Sequence, residues 1–162
     1  MTNRQLLYLV IILVVIVMAV YIAKNFVLNK YFALPVNGRI SSPFGERASP
    51  TEGASTSHNG VDIVATIDTP IKAKFDGEPI AMYSDSKGGI QLIVEHNGGW
   101  RSGYAHLNRY GNIQQGKKFK AGDIIAYTGN TGNTTGAHLH YTLTNPQGVK
   151  VDPEKYIGKK LV

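Results

Sequence analysis

The sequence predicts an all-β domain that follows one apolar N-terminal helix. Beyond residue 35 the chain contains short runs with β character, such as IQLIVEH over residues 90–96, in which apolar and polar side chains alternate as in a half-buried strand. The chain holds 18 glycines and shows no long amphipathic helical pattern. Turn-forming pairs separate the runs, among them Asp76-Gly77, Asn97-Gly98 and Gly129-Asn130.

The apolar helix is predicted over residues 6–23, which contain no charged residue, amide, glycine or proline. A membrane span needs at least about 17 residues, whereas the apolar core of a secretory signal has about 7–15. No small-residue cleavage site follows, so we expect an uncleaved transmembrane anchor in a lipid membrane. Residues 1–5 would then be a short inner tail. Residues 24–34 would form a stalk whose aromatic side chains rest at the membrane interface, namely Phe26, Tyr31 and Phe32.

The charge distribution does not indicate a nucleic-acid partner. The chain has 17 basic and 11 acidic residues, and Arg4, Lys24 and Lys30 flank the predicted span. The remaining excess of positive charge is mild, suits an anionic wall or membrane surface, and is accompanied by no nucleic-acid-binding motif. Cysteine is absent, so any metal ion must be held by histidine and carboxylate side chains.

Two histidine motifs indicate a metal site. His138 and His140 lie two residues apart in a predicted strand, so both imidazoles should leave the same face of the sheet. His58 and Asp62 would be about 13 Å apart in an extended strand, so they can share one ion only if the intervening Asn59-Gly60 pair bends the chain. Together with one histidine of the first motif they would leave a fourth tetrahedral position open, as in catalytic zinc sites.

The sequence leaves two roles open for each of two further histidines. His106, in the run SGYAHLN, is either a hydrogen-bonded core residue or a partner of a water molecule at the metal. Tyr104 would share its strand face and either line the same pocket or pack in the core. His96 reads as the end residue of a hairpin that could also support the site.

These motifs resemble the lysostaphin-type, or LytM-type, zinc metallopeptidases, which cut peptide bonds in bacterial peptidoglycan. The resemblance covers nearly everything after residue 35, and its motifs are in the family's order. It implies that Zn²⁺ is bound by His58, Asp62 and His140, and that His106 and His138 form the catalytic pair. The matching segments are RISSPFGER (39–47), HNGVDI (58–63), YAHL (104–107), AGDIIAYTGNTGNTTGAHLHY (121–141) and VDPEKYI (151–157).

The resemblance also implies a fold and a domain boundary, and the sequence departs from the family pattern at one position. Residues 35–162 would form an antiparallel, sandwich-like β-sheet domain with a substrate groove, whose edges would include the glycine-rich segment 129–136. The family usually follows its His-x-His motif with an aromatic residue and a glutamate, whereas this chain has Tyr141 and Thr142. The missing carboxylate removes no ligand but would change either how the ligands are oriented or the polarity of the pocket.

The function implied is a membrane-anchored zinc endopeptidase that acts on the peptide crosslinks of peptidoglycan. Its domain would lie outside the cytoplasm, either at the bacterial inner membrane or in a phage particle that contains a membrane. Three alternatives remain open: a glycan hydrolase, a histidine phosphocarrier domain, and a catalytically silent scaffold or activator of other wall hydrolases. The glycan hydrolase would use two of the carboxylates of Glu46, Glu52 and Asp62.

Overall fold

The computed structural model of the chain describes residues 3–28, 31–46 and 56–161. In these residues the chain forms one α-helix, α1 (Asn3–Leu28), and short 3₁₀ turns at Asn97–Gly99 and Pro153–Tyr156. The strands of the described part are β1 (Ile40–Ser42), β2 (Gly45–Glu46), β3 (Ser57–His58), β4 (Val61–Val64), β5 (Pro70–Lys72), β6 (Gly77–Asp85), β7 (Gly89–His96), β8 (Arg101–Tyr110), β9 (Ile124–Thr128), β10 (His138–Thr144) and β11 (Lys150–Val151).

Helix α1 is long and apolar enough to cross a membrane, and its apolar segment Asn3–Tyr21 is not buried against the rest of the chain. A signal sequence near the N-terminus can also be long and apolar enough to meet these criteria. The helix continues five residues beyond the predicted end at Ala23. Residues 24–28 contain neither glycine nor proline, so nothing in them breaks the helical hydrogen bonding.

The strands confirm the all-β, antiparallel prediction for the domain. Nine of them form one sheet with the order β1-β4-β10-β8-β7-β6, in which β11 pairs with β10, β9 pairs with β8, and β5 pairs with β9. Strands β2 and β3 form a separate pair. The sheet brings β4 and β10 side by side, so that Asp62 lies opposite His140 although 78 residues separate them in the chain.

The sheet branches in the middle of β8. Residues 101–105 pair with β10, whereas residues 107–110 pair with β9. His106 lies at the switch with a φ of 59°, and the register against β7 slips by one residue in the same place. This is a β-bulge with a non-glycine residue in the left-handed region, a strained conformation that is common at functional sites.

The apolar core covers one face of the sheet. The branch brings Ile71 and Ile125 into the same cluster as Leu92 and Leu139. Phe32 also belongs to this cluster: only 2% of it is exposed, and its ring stacks on Phe75 and Tyr141 at centroid distances of 6.4 and 6.2 Å.

The predicted placement of Phe32 at the membrane interface is therefore wrong. Its backbone is held by the C-terminal segment, because its N–H donates to the Lys159 carbonyl at 2.9 Å and its carbonyl accepts from the Gly158 N–H at 2.9 Å. The neighbouring Tyr31 remains 48% exposed. The side chain of Phe26 lies outside the described residues.

Candidate metal centre

A groove of about 1070 Å³ crosses the face of the sheet that is opposite the core. His138 and His140 both line it, as the alternation of strand side chains predicts, and Asp62 and His106 join them. One edge is formed by residues 133–137, which agrees with the predicted position of the glycine-rich loop, and another by residues 41–43.

Three side chains converge at the groove floor. His58 Nε2 lies 3.1 Å from Asp62 Oδ1 and 3.0 Å from His140 Nδ1, and the latter two atoms are 2.8 Å apart. The chain bends between β3 and β4 at Asn59-Gly60, as predicted, which brings His58 back over Asp62. Ligand atoms around a tetrahedral zinc ion are about 3.3 Å apart, so this spacing is close to that of a metal site.

Hydrogen bonds on the outer side of each ring fix which nitrogen faces the cluster. His58 Nδ1 lies 2.7 Å from the Pro43 carbonyl oxygen, and His140 Nε2 lies 3.2 Å from Asn59 Oδ1. Both outer contacts are with acceptors, so the outer nitrogen carries the proton and the inner nitrogen presents a lone pair. When both rings are neutral, three electron-rich atoms thus meet without a proton between them, an arrangement that a cation would stabilise.

The charge state of the cluster also fits a divalent cation. Burial by itself would raise the pKa of the Asp62 carboxyl, but the adjacent imidazoles of His140 and His58 outweigh burial and hold that pKa well below its usual range. Burial lowers the pKa of His140, against the opposing influence of Asp62. A carboxylate and an unprotonated imidazole are the forms that bind metal.

His106 and His138 lie beside this cluster, with their ring centroids 4.6 Å apart. His106 Nδ1 donates to the Thr131 carbonyl at 2.7 Å, and His138 Nδ1 donates to the Gly136 carbonyl at 2.8 Å. Each ring therefore keeps Nε2 free for the groove, and His138 Nε2 is 3.7 Å from Asp62 Oδ1. Burial lowers the pKa of His106, which favours its neutral form.

The prediction that His106 and Tyr104 share a strand face is wrong, because the bulge interrupts the alternation of β8. Tyr104 lies opposite Tyr141 in the register and packs against it in the core at a centroid distance of 5.3 Å. Regular alternation would place His106 on that same core face. Its positive φ instead turns the imidazole to the groove side, beside His138.

His96 does not support the site. It ends β7 on the core side, where its Nδ1 lies 2.9 Å from the Asp76 carbonyl and its Nε2 lies 2.7 Å from Ser102 Oγ. It is the hairpin-end residue that the sequence indicates. Glu46 is exposed in β2 and is not among the residues that line the groove, and Glu52 lies outside the described residues. The two glutamates of the glycan-hydrolase alternative therefore have no described place in the groove.

The sequence does not indicate the groups that orient the four histidines. Asn59 was assigned only to the turn, although its side chain also contacts His140. The other three acceptors are backbone carbonyls, which no residue type identifies. They belong to Pro43, Thr131 and Gly136.

The chain is similar to known peptidases. The model of peptidase family M23 matches residues 56–153. The DD-carboxypeptidase/endopeptidase Mpg of Neisseria meningitidis serogroup B is 37% identical over 105 residues, which are 64% of this chain and 24% of that protein. The peptidoglycan DD-endopeptidase ShyB of Vibrio cholerae is 33% identical over 114 residues, which are 70% of this chain and 26% of that protein. The chain thus spans about a quarter of the length of these relatives.

The fold is also similar to those of solved peptidase structures. A zinc-containing peptidase from Vibrio cholerae superposes with a TM-score of 0.66 at 32% identity, over 78% of this chain and 39% of that one. The catalytic domain of lysostaphin from Staphylococcus simulans superposes with a TM-score of 0.65 at 31% identity, over 74% of this chain and 92% of that one. With its family match over residues 56–153 and its lysostaphin-like fold, the chain belongs to peptidase family M23.

Proposed function

We propose that this protein is a zinc metalloendopeptidase that hydrolyses peptide crosslinks of bacterial peptidoglycan. The observation that carries the proposal is the convergence of His58, Asp62 and His140 in an open groove, with His106 and His138 beside them. The names of the relatives ShyB and lysostaphin support a wall peptide as the substrate class.

His58 Nε2, Asp62 Oδ1 and His140 Nδ1 would hold the zinc ion. When bound there, zinc would supply Lewis acidity, which polarises a carbonyl group and lowers the pKa of water toward about 7. The outer hydrogen bonds to Pro43 and Asn59 keep the two imidazoles turned toward the ion.

His106 and His138 would manage the protons of the reaction. Because the Nδ1 atom of each ring donates to a backbone carbonyl, the neutral ring can accept a proton only at Nε2, on the groove side. One Nε2 can take the proton of the attacking water. After protonation, Nε2 can stabilise the oxyanion or deliver its proton to the leaving amine.

Helix α1 would anchor the enzyme in a membrane with the domain outside the cytoplasm, where peptidoglycan lies. The inner membrane of a bacterium and the membrane of a phage particle both satisfy this requirement. The length of the apolar segment Asn3–Tyr21 and its full exposure support the anchor, and the location of the proposed substrate sets the side of the membrane on which the domain lies.

The test is digestion of purified peptidoglycan by the full chain in detergent micelles, with products identified by mass spectrometry. New amine termini are expected, and they should disappear in His138→Ala and after treatment with a zinc chelator. New reducing sugar ends would identify a glycan hydrolase instead. Absence of any product from a zinc-loaded protein would indicate the scaffold alternative.

A further inference from the structure

The groove face of the sheet is divided into rows of residues that lie directly opposite one another. The metal centre occupies one row, in which His140 pairs with Asp62 on one side and Ala105 on the other. Two residues further along β10, Thr142 pairs with Gly103, which pairs with Ile93. Two residues further along β10 lies a third row, which we call the charged row. It consists of Lys150, Thr144, Arg101, Glu95 and Glu78.

Lys150 is the cation of the charged row that is left for a ligand. Arg101 is already paired with Glu95, through contacts of 2.9 and 3.0 Å. Lys150 forms no ion pair with the described residues, and it lines the groove that contains the metal centre. Lys150 is exposed on its strand, and partial desolvation lowers the pKa of its amine.

The row between the metal centre and the charged row leaves room for a peptide. A Cβ atom on Gly103 would lie 2.4 Å from Thr142 Oγ1, so a side chain cannot project there without displacing Thr142. Thr142 itself is buried. The floor of the groove is therefore low between His140 and the charged row.

The spacing defines which part of a substrate can reach Lys150. Thr144, the strand partner of Lys150, is four residues beyond His140, a distance of about 13 Å along an extended strand. An extended peptide lying in the groove covers this distance with about four residues. A group that contacts Lys150 would thus lie within about four residues of the bond that is cut.

We infer that Lys150 binds a carboxylate of the substrate peptide and so selects peptides that carry a negative charge near the scissile bond. The inference rests on the proposed function, because it names a specificity-determining residue of the same groove. A carboxylate suits this position, since one lysine provides a single point charge rather than a cluster of cations.

The test compares two substrates and three variants of the full chain in detergent. The substrates are a crosslinked muropeptide dimer and the same dimer with its carboxylates converted to amides. The variants are Lys150→Met, Lys150→Arg as the variant that keeps the charge, and Lys118→Met as a control at an exposed lysine outside the groove. Lys150→Met should raise KM for the carboxylate dimer roughly tenfold and leave kcat nearly unchanged.

The amidated dimer separates the outcomes. Its KM should be high for the unaltered protein and should not rise further in Lys150→Met, whereas Lys150→Arg should restore most of the preference for the carboxylate dimer. If Lys150→Met changes KM equally for both dimers, or for neither, the inference is overturned while the proposed function stands. If the unaltered protein cleaves neither dimer, the proposed function is overturned and the inference with it.

Discussion

Replacing Gly60 with alanine should disrupt the metal centre without removing a ligand. Gly60 lies between His58 and Asp62, and a Cβ atom there would be 2.3 Å from the Tyr141 carbonyl oxygen. Its φ is not in the left-handed region, so glycine is required by the close approach of β10 and not by a special backbone conformation. The obstacle is backbone, which cannot turn away as a flexible side chain would.

The size of the effect follows from this distance. An ordinary contact of a Cβ atom is at least 3.4 Å, so the two strands must separate by roughly 1 Å. Tyr141 is adjacent to His140, whose Nδ1 is only 2.8 Å from Asp62 Oδ1, so the ligands separate with the strands. Overpacking of this kind costs about 1–3 kcal/mol, or roughly 3–15 °C in Tm for a domain of this size. Zinc affinity should fall about 10- to 100-fold.

The assay is competition with a fluorescent zinc chelator, together with a thermal melt of the metal-free protein. Gly136→Ala is the matched control, because a Cβ atom there meets nothing within 4 Å and its φ is not positive. We expect the control to stay within about 0.5 kcal/mol of the unaltered protein. If Gly60→Ala binds zinc and melts like the control, the contact between β4 and β10 does not position the ligands.

Three further predictions address the ligands, the core and the response to pH. His140→Ala should lose most of its zinc in elemental analysis, whereas His138→Ala should retain the metal and lose hydrolysis of peptidoglycan; equal zinc content in the two would contradict the assigned roles. Phe32→Ala should cost about 3–5 kcal/mol in urea unfolding, whereas Tyr31→Ala should cost less than about 1 kcal/mol, and similar losses would argue against a core position for Phe32. Burial lowers the pKa of His96, so below about pH 6.5 the unfolded chain binds a proton at this residue that the folded chain does not. The free energy of unfolding should therefore decrease as the pH falls below about 6.5, by up to about 1.4 kcal/mol per pH unit. His96→Gln should show a shallower decrease between pH 7.5 and 5, and parallel curves would show that His96 does not titrate in this way.

The sequence predicts the parts of the site that depend on local geometry. The period of two along β10 places His138 and His140 on one face, and the distance between His58 and Asp62 in an extended chain requires the bend at Asn59. Both features depend only on residues a few positions apart, so they can be read without the fold.

Two features that depend on distant contacts could not be predicted from local patterns. The conformation of His106 arises where β8 leaves β10 and joins β9, so a period of two wrongly placed it on the same face as Tyr104. Phe32 resembles a membrane-interface aromatic residue because it follows the helix closely. Its burial depends on Tyr141 and on residues 158–160, more than a hundred positions further along the chain.

The pairing of Phe32 with Lys159 has a consequence for how the protein is made. The segment that leaves the ribosome just after α1 receives its backbone hydrogen bonds from residues that are translated more than 120 positions later. We expect this closure to be a late event in biosynthesis, completed only when residues 158–160 are free to dock. A nascent chain that stops before residue 158 would lack the hydrogen bonds that join Phe32 to Gly158 and Lys159.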